Sequence, residues 1–400
     1  MKSKLMILGA SILQLPAIEQ AVGMGLQVIA VDMNPDAVGF QVPGVIREVI
    51  STIDIPAVME AAKRHKIDGI MTLASDMPMR TVACVGKAFG LPAISEEAAF
   101  RATDKYAMRQ ALLDHNVPVP MFFGVKTYDA FQAAVAQLPG DQYIVKPADS
   151  SGSRGVHLAN HNDDALALFQ ESLRFSRSGT VLVEEFMTGP EVSVESITVN
   201  GKTEIITITD KLIVGNGNFT EMGHTQPSAL SPEIQCEIHN VVQKTIAAIG
   251  IDHSPSHTEL KVTPTGVKVV EIGARLGGDN ITTHLVPLST GVNMVESCIR
   301  LAIGQPLPQY ERQCNNSAIR YFQPPEGVVT SITGLEEAQN IPGVCEIQLL
   351  CKVGQVVPPV TCSSDRVGYV IAQGQDDLSA ADICEKAIEK ITVCVESVKI

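Results

Sequence analysis

Short apolar runs alternate with amphipathic stretches through residues 4–94, and this alternation constrains the fold more than any other feature of the sequence. The apolar runs have the length of buried strands, whereas the longer stretches repeat their apolar residues at helical spacing. In chain order the segments are 4–8, 14–24, 27–31, 55–64, 69–73 and 79–89. Strands and helices that alternate in this way form a parallel sheet with helices on both faces, so we expect an α/β domain with helix ends near Gly25 and Gly90.

Gly9 and Asp32 follow the first two predicted strands, at the positions where a dinucleotide-binding fold holds its ligand. The glycine fingerprint of such a fold is absent, because Gly9 is followed by Ala10 and Ser11. Asp32 is equally well explained as the end of a strand. A nicotinamide site is therefore an alternative that the sequence disfavours.

The rest of the chain mixes helices and strands and predicts α+β structure. Thr103 or Asp104 can cap a helix over 102–113. Asn200-Gly201 joins two alternating segments and is typical of a tight hairpin. The other expected elements are strands from 121 and over 180–186, 257–262 and 266–272, and helices over 127–138, 164–174, 232–249, 290–303 and 379–393.

A loop of small residues follows the apolar run that begins at Tyr143 and includes Lys146. Gly152 and Gly155 can adopt positive φ angles and let backbone N–H groups approach phosphate oxygens, which hydroxyls and cations would also bind. Those hydroxyls and the second cation belong to Ser150, Ser151, Ser153 and Arg154. The loop lacks the Gly-Lys-Ser/Thr ending of a P-loop, and an ordinary mobile turn is the alternative.

A second candidate lies where the apolar run 181–186 passes into a turn. Free backbone groups at such a strand end can bind an adenine, and a carboxylate can bind a ribose. Glu184, Glu185 and Glu191 supply the carboxylates. Solvated glutamates at the end of a strand are the alternative interpretation.

Glu259 and Glu271 stand among apolar residues on two strands whose hairpin register could place them side by side. Two adjacent carboxylates in a mostly buried sheet repel each other unless a cation lies between them. Mg²⁺ suits such oxygen ligands better than Zn²⁺ does, because no cysteine or histidine stands at metal-ligand spacing.

Five further polar residues are candidates for binding or orienting a substrate. Arg275 could hold a carboxylate or a transferring phosphoryl group, although an isolated arginine is more often a surface residue. Glu221 and His224 could orient a substrate, but a lone histidine in a polar loop is more often solvated. Asp279 could hold an ammonium group or cap a helix, and Lys211 is a weaker candidate for carboxylate contact.

Charge and cysteine content limit the partners and the compartment. The 44 acidic and 30 basic residues give a net charge of −14, which argues against nucleic acid or an anionic membrane as the main partner. Nine cysteines without a Cys-x-x-Cys pair fit a reduced protein. No apolar run approaches the length of a membrane span, so we expect a soluble, cytoplasmic protein.

Taken together, in this order and spacing, these clusters resemble the ATP-grasp superfamily, and particularly the L-amino-acid ligase branch of its carboxylate–amine ligases. The resemblance covers the whole chain and implies the ATP-grasp fold. It implies a Rossmann-like pre-ATP-grasp domain over 1–101, an ATP-grasp domain over 102–304 with a lid subdomain at about 115–187, and a C-terminal α+β domain over 305–400.

The resemblance also implies a nucleotide site. Lys105 and Lys146 match the two phosphate-binding lysines, and residues 150–155 match the lid loop. Lys105 stands in the first turn of its predicted helix, where a cation gains nothing from the helix dipole unless an anion lies nearby. The implied adenine-binding hinge and ribose-binding acid are Glu184, Glu185, Phe186 and Met187, followed by Glu191.

For the chemical step, the resemblance makes Glu259 and Glu271 the metal carboxylates and Arg275 the residue that stabilises an acyl-phosphate. The segment that contains Glu221 and His224 resembles the substrate-facing Glu-x-x-His element of amino-acid ligases. One departure concerns Gly273, because many members of the superfamily have asparagine there. The number of metal ions is therefore left open.

The implied activity is that of an ADP-forming ligase that uses ATP and Mg²⁺, with Mn²⁺ as an alternative metal. Such an enzyme activates a small acid, expected to be an amino acid, as an acyl-phosphate for attack by an amine. Its partners would be the acid and the amine, and a homodimer is the usual assembly. The alternatives are a purine-pathway or carbamoyl-phosphate-type enzyme of the same fold, and an ATP-binding module without turnover, which Gly273 suggests.

Overall fold

A computed structural model of the chain describes residues 2–150, 152–214, 219–374 and 378–396. Ser151, one of the predicted loop residues, lies outside these ranges, so its placement is not described. Among the described residues, no helix combines the length and the apolar character that crossing a membrane requires.

The first part of the chain forms a parallel sheet between helices, as the alternating pattern predicts. The strands pair in the order β3-β2-β1-β4 and are β1 (Lys4–Leu8), β2 (Gln27–Asp32), β3 (Ile46–Val49) and β4 (Gly69–Thr72). The helices are α1 (Leu15–Gly23), α2 (Ile55–His65), α3 (Pro78–Phe89) and α4 (Glu96–Arg101). Gly90 has a φ of 65° at the end of α3, the left-handed conformation that glycine adopts readily. Strand β3 and helix α4 were not predicted from the sequence.

The next unit is an antiparallel sheet with the order β5-β8-β6-β7. Its strands are β5 (Phe122–Val125), β6 (Gln142–Pro147), β7 (His157–Asn160) and β8 (Val181–Glu185), and its helices are α5 (Lys105–Asp114), α6 (Tyr128–Val135) and α7 (Ala165–Arg174). Asp104 caps α5 by accepting a hydrogen bond from the Ala107 N–H at 2.9 Å, so the helix begins at Lys105 rather than at residue 102. This cap places Lys105 at the start of the helix.

A large antiparallel sheet forms the centre of the molecule, in the order β13-β12-β9-β10-β11-β14-β18-β16. Asn200 and Gly201, with φ values of 52° and 71°, turn the predicted β9–β10 hairpin. The strands are β9 (Glu191–Val199), β10 (Lys202–Val214), β11 (Thr220–Gln226), β12 (Ser254–Thr263), β13 (Gly266–Gly273), β14 (Ser317–Tyr321), β15 (Gly327–Thr333), β16 (Val344–Leu349), β17 (Val356–Val357), β18 (Gly368–Gln373) and β19 (Thr392–Glu396), of which β15, β17 and β19 form a separate small sheet.

The remaining helices pack on these sheets. They are α8 (Pro232–Ile249), α9 (Val286–Thr290), α10 (Met294–Ala302), α11 (Leu335–Gln339) and α12 (Ala380–Lys390). The predicted helix over 290–303 is two helices, because Gly291 ends α9 with a φ of 74°. The predicted helix over 379–393 ends at Lys390, and strand β19 follows it.

One apolar core joins the first sheet to the central sheet. Leu8 of β1, Val194 of β9 and Ile246 of α8 belong to the same buried cluster. Strand β14 pairs with β11, so the central sheet continues past residue 304, and the domain limits at 101 and 304 stay predictions. The parallel and antiparallel sheets confirm the predicted α/β and α+β class.

Candidate active site

The predicted site residues converge on a single cleft of about 1100 Å³. The predicted residues that line it are Lys105, Lys146, Ser150, Gly152, Ser153, Arg154, Glu184, Glu185, Phe186, Met187, Glu191, Lys211, Glu221, Glu259, Glu271, Arg275 and Asp279. Of the site residues that the resemblance implies and the structure describes, two are not among the lining residues. His224 is fully buried, and Gly155 lies against Phe175 with a φ of 72°.

Glu259 and Glu271 are direct partners across β12 and β13, which confirms the predicted hairpin register. Their side chains are 25 % and 29 % exposed, so both carboxylates border the cleft. Lys105 donates to Glu271 Oε1 at 2.8 Å and to the carbonyl oxygen of Ser150 at 2.7 Å. One lysine thus connects the start of the loop to the carboxylate pair.

The donor chemistry of this pair fits a hard divalent cation. Opposed carboxylates supply only oxygen ligands, which Mg²⁺ and Mn²⁺ prefer. The chain already places a cation beside each of them, Lys211 at 3.2 Å from Glu259 and Lys105 at 2.8 Å from Glu271. Each carboxylate of the pair therefore has a cation of the chain beside it, and a divalent ion between the two would neutralise more of their negative charge.

Glu184 lies in a buried ion-pair cluster beneath the cleft. Its carboxylate accepts from Arg109 Nε at 2.7 Å and pairs with Lys146 Nζ at 2.5 Å. Burial alone would raise the pKa of Glu184, but the two cations outweigh burial and lower it to about 2. The carboxylate that the resemblance assigns to the adenine-binding hinge therefore faces Lys146 instead of solvent.

Arg109 was not found from the sequence, and a β-bulge explains why the fold needs it. The register of β12 and β13 shifts after Glu259, so that Leu260 pairs with Val269. The carbonyl of Val270 accepts a hydrogen bond from Arg109 Nη2 at 2.7 Å. Because the bulge leaves a backbone acceptor without a strand partner, Arg109 satisfies it and ties β13 to α5.

Lys211, on β10, connects three acids that the sequence assigned to different roles. Its Nζ lies 2.9 Å from Glu191, 2.5 Å from Glu221 and 3.2 Å from Glu259. Its side chain is only 2 % exposed. Burial by itself lowers the pKa of Lys211, but the three carboxylates outweigh burial and hold it well above its usual value. Lys211, which was a weak candidate for contact with a substrate carboxylate, is thus surrounded by three carboxylates of the chain itself.

Glu221 and His224 lie on strand β11, so the alternative interpretation of His224 as a solvated residue in a polar loop is wrong. His224 is fully buried, because β10 and β14 pair with β11 on either side. Its Nε2 faces Asp279 at 3.4 Å and Glu221 at 3.8 Å. Burial raises the pKa of Glu221 in spite of the nearby Lys211.

Asp279 has a partner that the sequence analysis did not find. Arg366 donates to its two carboxylate oxygens at 2.7 and 2.8 Å. In this structure, then, a guanidinium occupies the position that the sequence analysis gave to a substrate ammonium group. Glu221, His224 and Asp279 have the spacing of metal ligands, and Lys211 and Arg366 lie beside the two acids of this group.

Arg275 lines the cleft and is held by an acid from the connection between β4 and α3. Its Nε and Nη2 donate to Asp76 at 2.8 and 3.2 Å. A Cβ atom at Gly273 would lie 2.9 Å from Asp76 Oδ1 and 3.0 Å from Arg275 Cζ. The Asp76–Arg275 pair therefore fills the space that a side chain at position 273 would need.

The loop after β6 has the backbone that its glycines predict. Gly152 and Gly155 have φ values of 66° and 72°, and Ser153 also has a positive φ, of 57°. Asp149 anchors the start of the loop, since it accepts from the backbone N–H groups of Arg177 and Ser178 at 2.9 and 2.8 Å. The phosphate-binding role of the loop stays a prediction.

Comparison with known families agrees with this geometry. Residues 140–283 match the ATP-grasp domain, and residues 320–396 match the L-amino acid ligase C-terminal domain 2. The two matches include the carboxylate pair and Arg366, whereas Asp76 and Lys105 of the cleft lie outside them.

Two relatives match most of the chain in sequence. The chain is 31% identical over 337 residues to an uncharacterized protein, y4rH, of Sinorhizobium fredii (strain NBRC 101917 / NGR234), covering 82% of this chain and 68% of that protein. It is 23% identical to an L-arginine-specific L-amino acid ligase of Bacillus subtilis, covering 69% and 68%.

A solved L-amino acid ligase from Bacillus licheniformis shares the fold with a TM-score of 0.84 and 21% identity, over 99% of each chain. This likeness confirms the predicted ATP-grasp fold. The chain therefore belongs to the ATP-grasp family of ATP-dependent carboxylate–amine ligases.

Proposed function

We propose that the chain uses ATP to activate the carboxylate of a small acid, in the first instance an amino acid, as an acyl-phosphate, and that an amine then displaces phosphate. The observation that carries this proposal is the register pairing of Glu259 with Glu271 in a cleft shared with Lys105, Lys146 and Arg275. The match of residues 320–396 to the L-amino acid ligase domain supports an amino acid as the acid.

The first step is transfer of the γ-phosphoryl group. An oxygen of the substrate carboxylate attacks the γ-phosphorus, the bond to the β,γ-bridging oxygen breaks, and ADP leaves. Lys105 donates to the carbonyl oxygen of Ser150 at the start of the loop, and Lys146 lies on β6, which leads into the loop. The two lysines and the loop N–H groups are therefore suited to bind the phosphates. Arg275, fixed by Asp76, is suited to hold the acyl-phosphate.

The second step forms the C–N bond. The amine attacks the acyl carbon, loses a proton, and the acyl C–O bond breaks to release phosphate. Water would destroy the acyl-phosphate, so closure of the loop over the cleft would favour the amine. Glu221 lines the cleft and the fully buried His224 lies 3.8 Å from it, so the two side chains are suited to orient the acid or the amine.

Glu259 and Glu271 would hold Mg²⁺, or Mn²⁺ in its place. When bound, such an ion neutralises negative charge on the phosphates and thereby assists phosphoryl transfer. Lys105 contacts Glu271 and Lys211 contacts Glu259, so the two lysines keep the carboxylates turned towards the cleft.

The test is a screen for ADP release over amino acids, singly and in pairs, with hydroxylamine added to trap an activated acid. The proposal predicts ADP and phosphate, with hydroxamate formation that depends on the acid. Release of AMP and pyrophosphate would contradict it. Activity only with a phosphoribosyl amine or with bicarbonate would favour the purine-pathway or carbamoyl alternative, and nucleotide binding without turnover would favour a binding module.

The proposal includes a homodimer and a cytoplasmic location. None of the nine cysteines, all of them among the described residues, forms a disulfide, which suits a reducing compartment. Sedimentation equilibrium would test the assembly, and a monomer at micromolar concentration would contradict the dimer.

A further inference from the structure

A buried histidine lies directly behind Glu259, and nothing in the proposed reaction has used it. His257 is 6 % exposed and stands two residues before Glu259 on β12, so both side chains are on the same face of the strand. Its Nε2 lies 3.3 Å from Glu259 Oε1. Its Nδ1 lies 2.5 Å from Oε1 of Glu195, which is completely buried on β9.

The sheet itself determines this arrangement. Glu195 and His257 are direct register partners of β9 and β12, as Ser193 and Glu259 are two positions further along. The chain thus forms a line of three groups, from the buried carboxylate of Glu195 through the imidazole of His257 to the carboxylate of Glu259. The strand pairing sets the order of the three groups and their spacing.

Burying Glu195 and His257 costs free energy, which an ion pair seldom recovers in full. Oε2 of Glu195 has no hydrogen-bond partner among the described residues, so the pair is not optimised for stability alone. An imidazole between two carboxylates satisfies both only when it donates from both nitrogens.

The loop after β13 closes over the pair. A Cβ atom at Gly277 would lie 2.8 Å from His257 Nδ1 and 3.0 Å from Glu195 Oε2. The absence of a side chain at this position lets the backbone cover the two groups closely. The imidazole is therefore held in place on the side away from Glu259.

The carboxylate of Glu259 is contacted by both His257 and Lys211. His257 Nε2 and Lys211 Nζ both meet the same oxygen, Oε1, at 3.3 and 3.2 Å. Two donors on one oxygen fix the rotation of the carboxylate and leave Oε2 as the oxygen to be offered to a cation. Hydrogen bonds to a ligating carboxylate orient it in this way at metal sites in general.

We infer that His257, held by Glu195, is a positioning residue that fixes the carboxylate of Glu259 for a divalent cation. This inference rests on the proposed function, because it requires that Glu259 hold the ion. It adds two residues, His257 and Glu195, that act through the carboxylate of Glu259.

Two substitutions separate the contacts of the imidazole. In His257→Asn, the amide nitrogen can replace Nδ1 and keep the contact with Glu195, but the side chain is too short to reach Glu259. In His257→Gln, the amide nitrogen can replace Nε2 and reach Glu259. Ser256→Ala is the matched control, because it removes a buried hydrogen bond to Ser196, 2.6 Å long, from the same two strands without touching Glu259.

The measurement is calorimetric titration of Mn²⁺ into protein saturated with ADP, together with ADP titration in the absence of metal. We expect His257→Asn to weaken Mn²⁺ binding by about 10- to 100-fold, the range typical of residues that support metal ligands. His257→Gln should fall between this variant and the wild type, and Ser256→Ala should match the wild type. ADP affinity without metal should be the same in all four proteins.

Wild-type Mn²⁺ affinity in His257→Asn would overturn the inference while leaving the proposed function intact. Equal weakening in His257→Asn and Ser256→Ala would also overturn it, since the effect would then be a general loosening of the strands. A His257→Gln variant that binds Mn²⁺ no better than His257→Asn would exclude the contact with Glu259 as the cause. Failure of the wild type itself to bind Mn²⁺ with ADP would instead contradict the proposed function.

Discussion

Arg366 donates two hydrogen bonds to Asp279, at 2.7 and 2.8 Å, and so ties the C-terminal part of the chain to the loop that follows β13. Its guanidinium also lies 3.8 Å from the ring centroid of Tyr321. The pair is mostly buried and stands next to His224, at the edge of the cleft. The C-terminal segment therefore contributes directly to the wall of the site.

Replacing Arg366 should cost both stability and activity. In Arg366→Met, the mostly buried carboxylate of Asp279 keeps only its 3.4 Å contact with His224, so we expect the free energy of unfolding to fall by about 3–5 kcal/mol. Arg366→Lys keeps the charge but loses the two-pronged contact and should fall by less. Urea unfolding measures the difference. Arg312→Met is the control, because its partner Glu204 is exposed and the loss should stay within about 1 kcal/mol. Equal losses in Arg366→Met and Arg312→Met would contradict this account.

Lys211→Met should leave Glu191, Glu221 and Glu259 to repel one another. We expect a loss of about 3–5 kcal/mol in the free energy of unfolding. Because a divalent cation can replace part of the missing charge, Mg²⁺ should restore more stability to this variant than to the wild type. Thermal unfolding with and without Mg²⁺ measures this, with the exposed Lys244→Met as control. Identical Mg²⁺ responses in Lys211→Met and the wild type would exclude the shared-charge interpretation.

Glu271→Gln should remove most of the ADP release without unfolding the protein. The substitution removes a charge opposite Glu259 and the ion-pair partner of Lys105. Loss of a metal carboxylate is expected to remove several kcal/mol of transition-state stabilisation, which is on the order of 100-fold in rate or more. Circular dichroism checks the fold, and the exposed Glu389→Gln is the control. Unchanged turnover in Glu271→Gln would mean that this carboxylate has no part in the reaction.

The ion-pair cluster of Glu184 predicts how stability depends on pH. The folded-state pKa of Glu184 is lowered to about 2, so its contribution is complete above the pKa of the unfolded chain and is lost as the pH falls towards 2. Between pH 7 and pH 3 the loss should be about 2 kcal/mol. Unfolding at several pH values should show a steeper acid loss in the wild type than in Glu184→Gln. Parallel curves would show that Glu184 does not titrate in this way.

The sequence predicted features that depend on local pattern. The period of the apolar residues over 4–94 determines the parallel sheet, and the turn residues Asn200 and Gly201 determine the hairpin that joins β9 and β10. The register of Glu259 and Glu271 followed from the short connection between their strands. Each of these features is fixed within a few tens of residues.

The partners that the sequence did not predict are distant along the chain. Arg275 meets Asp76 across 199 residues and Arg366 meets Asp279 across 87, and no local pattern records such a pairing. Arg109, on helix α5, donates to the backbone carbonyl of Val270, which lies at the bulge between β12 and β13. The strand that carries His224 was not predicted, because a polar segment without apolar alternation resembles a loop. In the structure this strand, β11, pairs with a neighbouring strand on each side.

The central claim is that the cleft transfers a phosphoryl group from ATP to a carboxylate. The most direct test is to supply amino acids labelled with ¹⁸O in the carboxylate, together with ATP, and to analyse the phosphorus-containing products by mass spectrometry. The account predicts ADP and inorganic phosphate, with one ¹⁸O atom in each phosphate released. Recovery of ¹⁸O in AMP, or phosphate release without ¹⁸O, would contradict it.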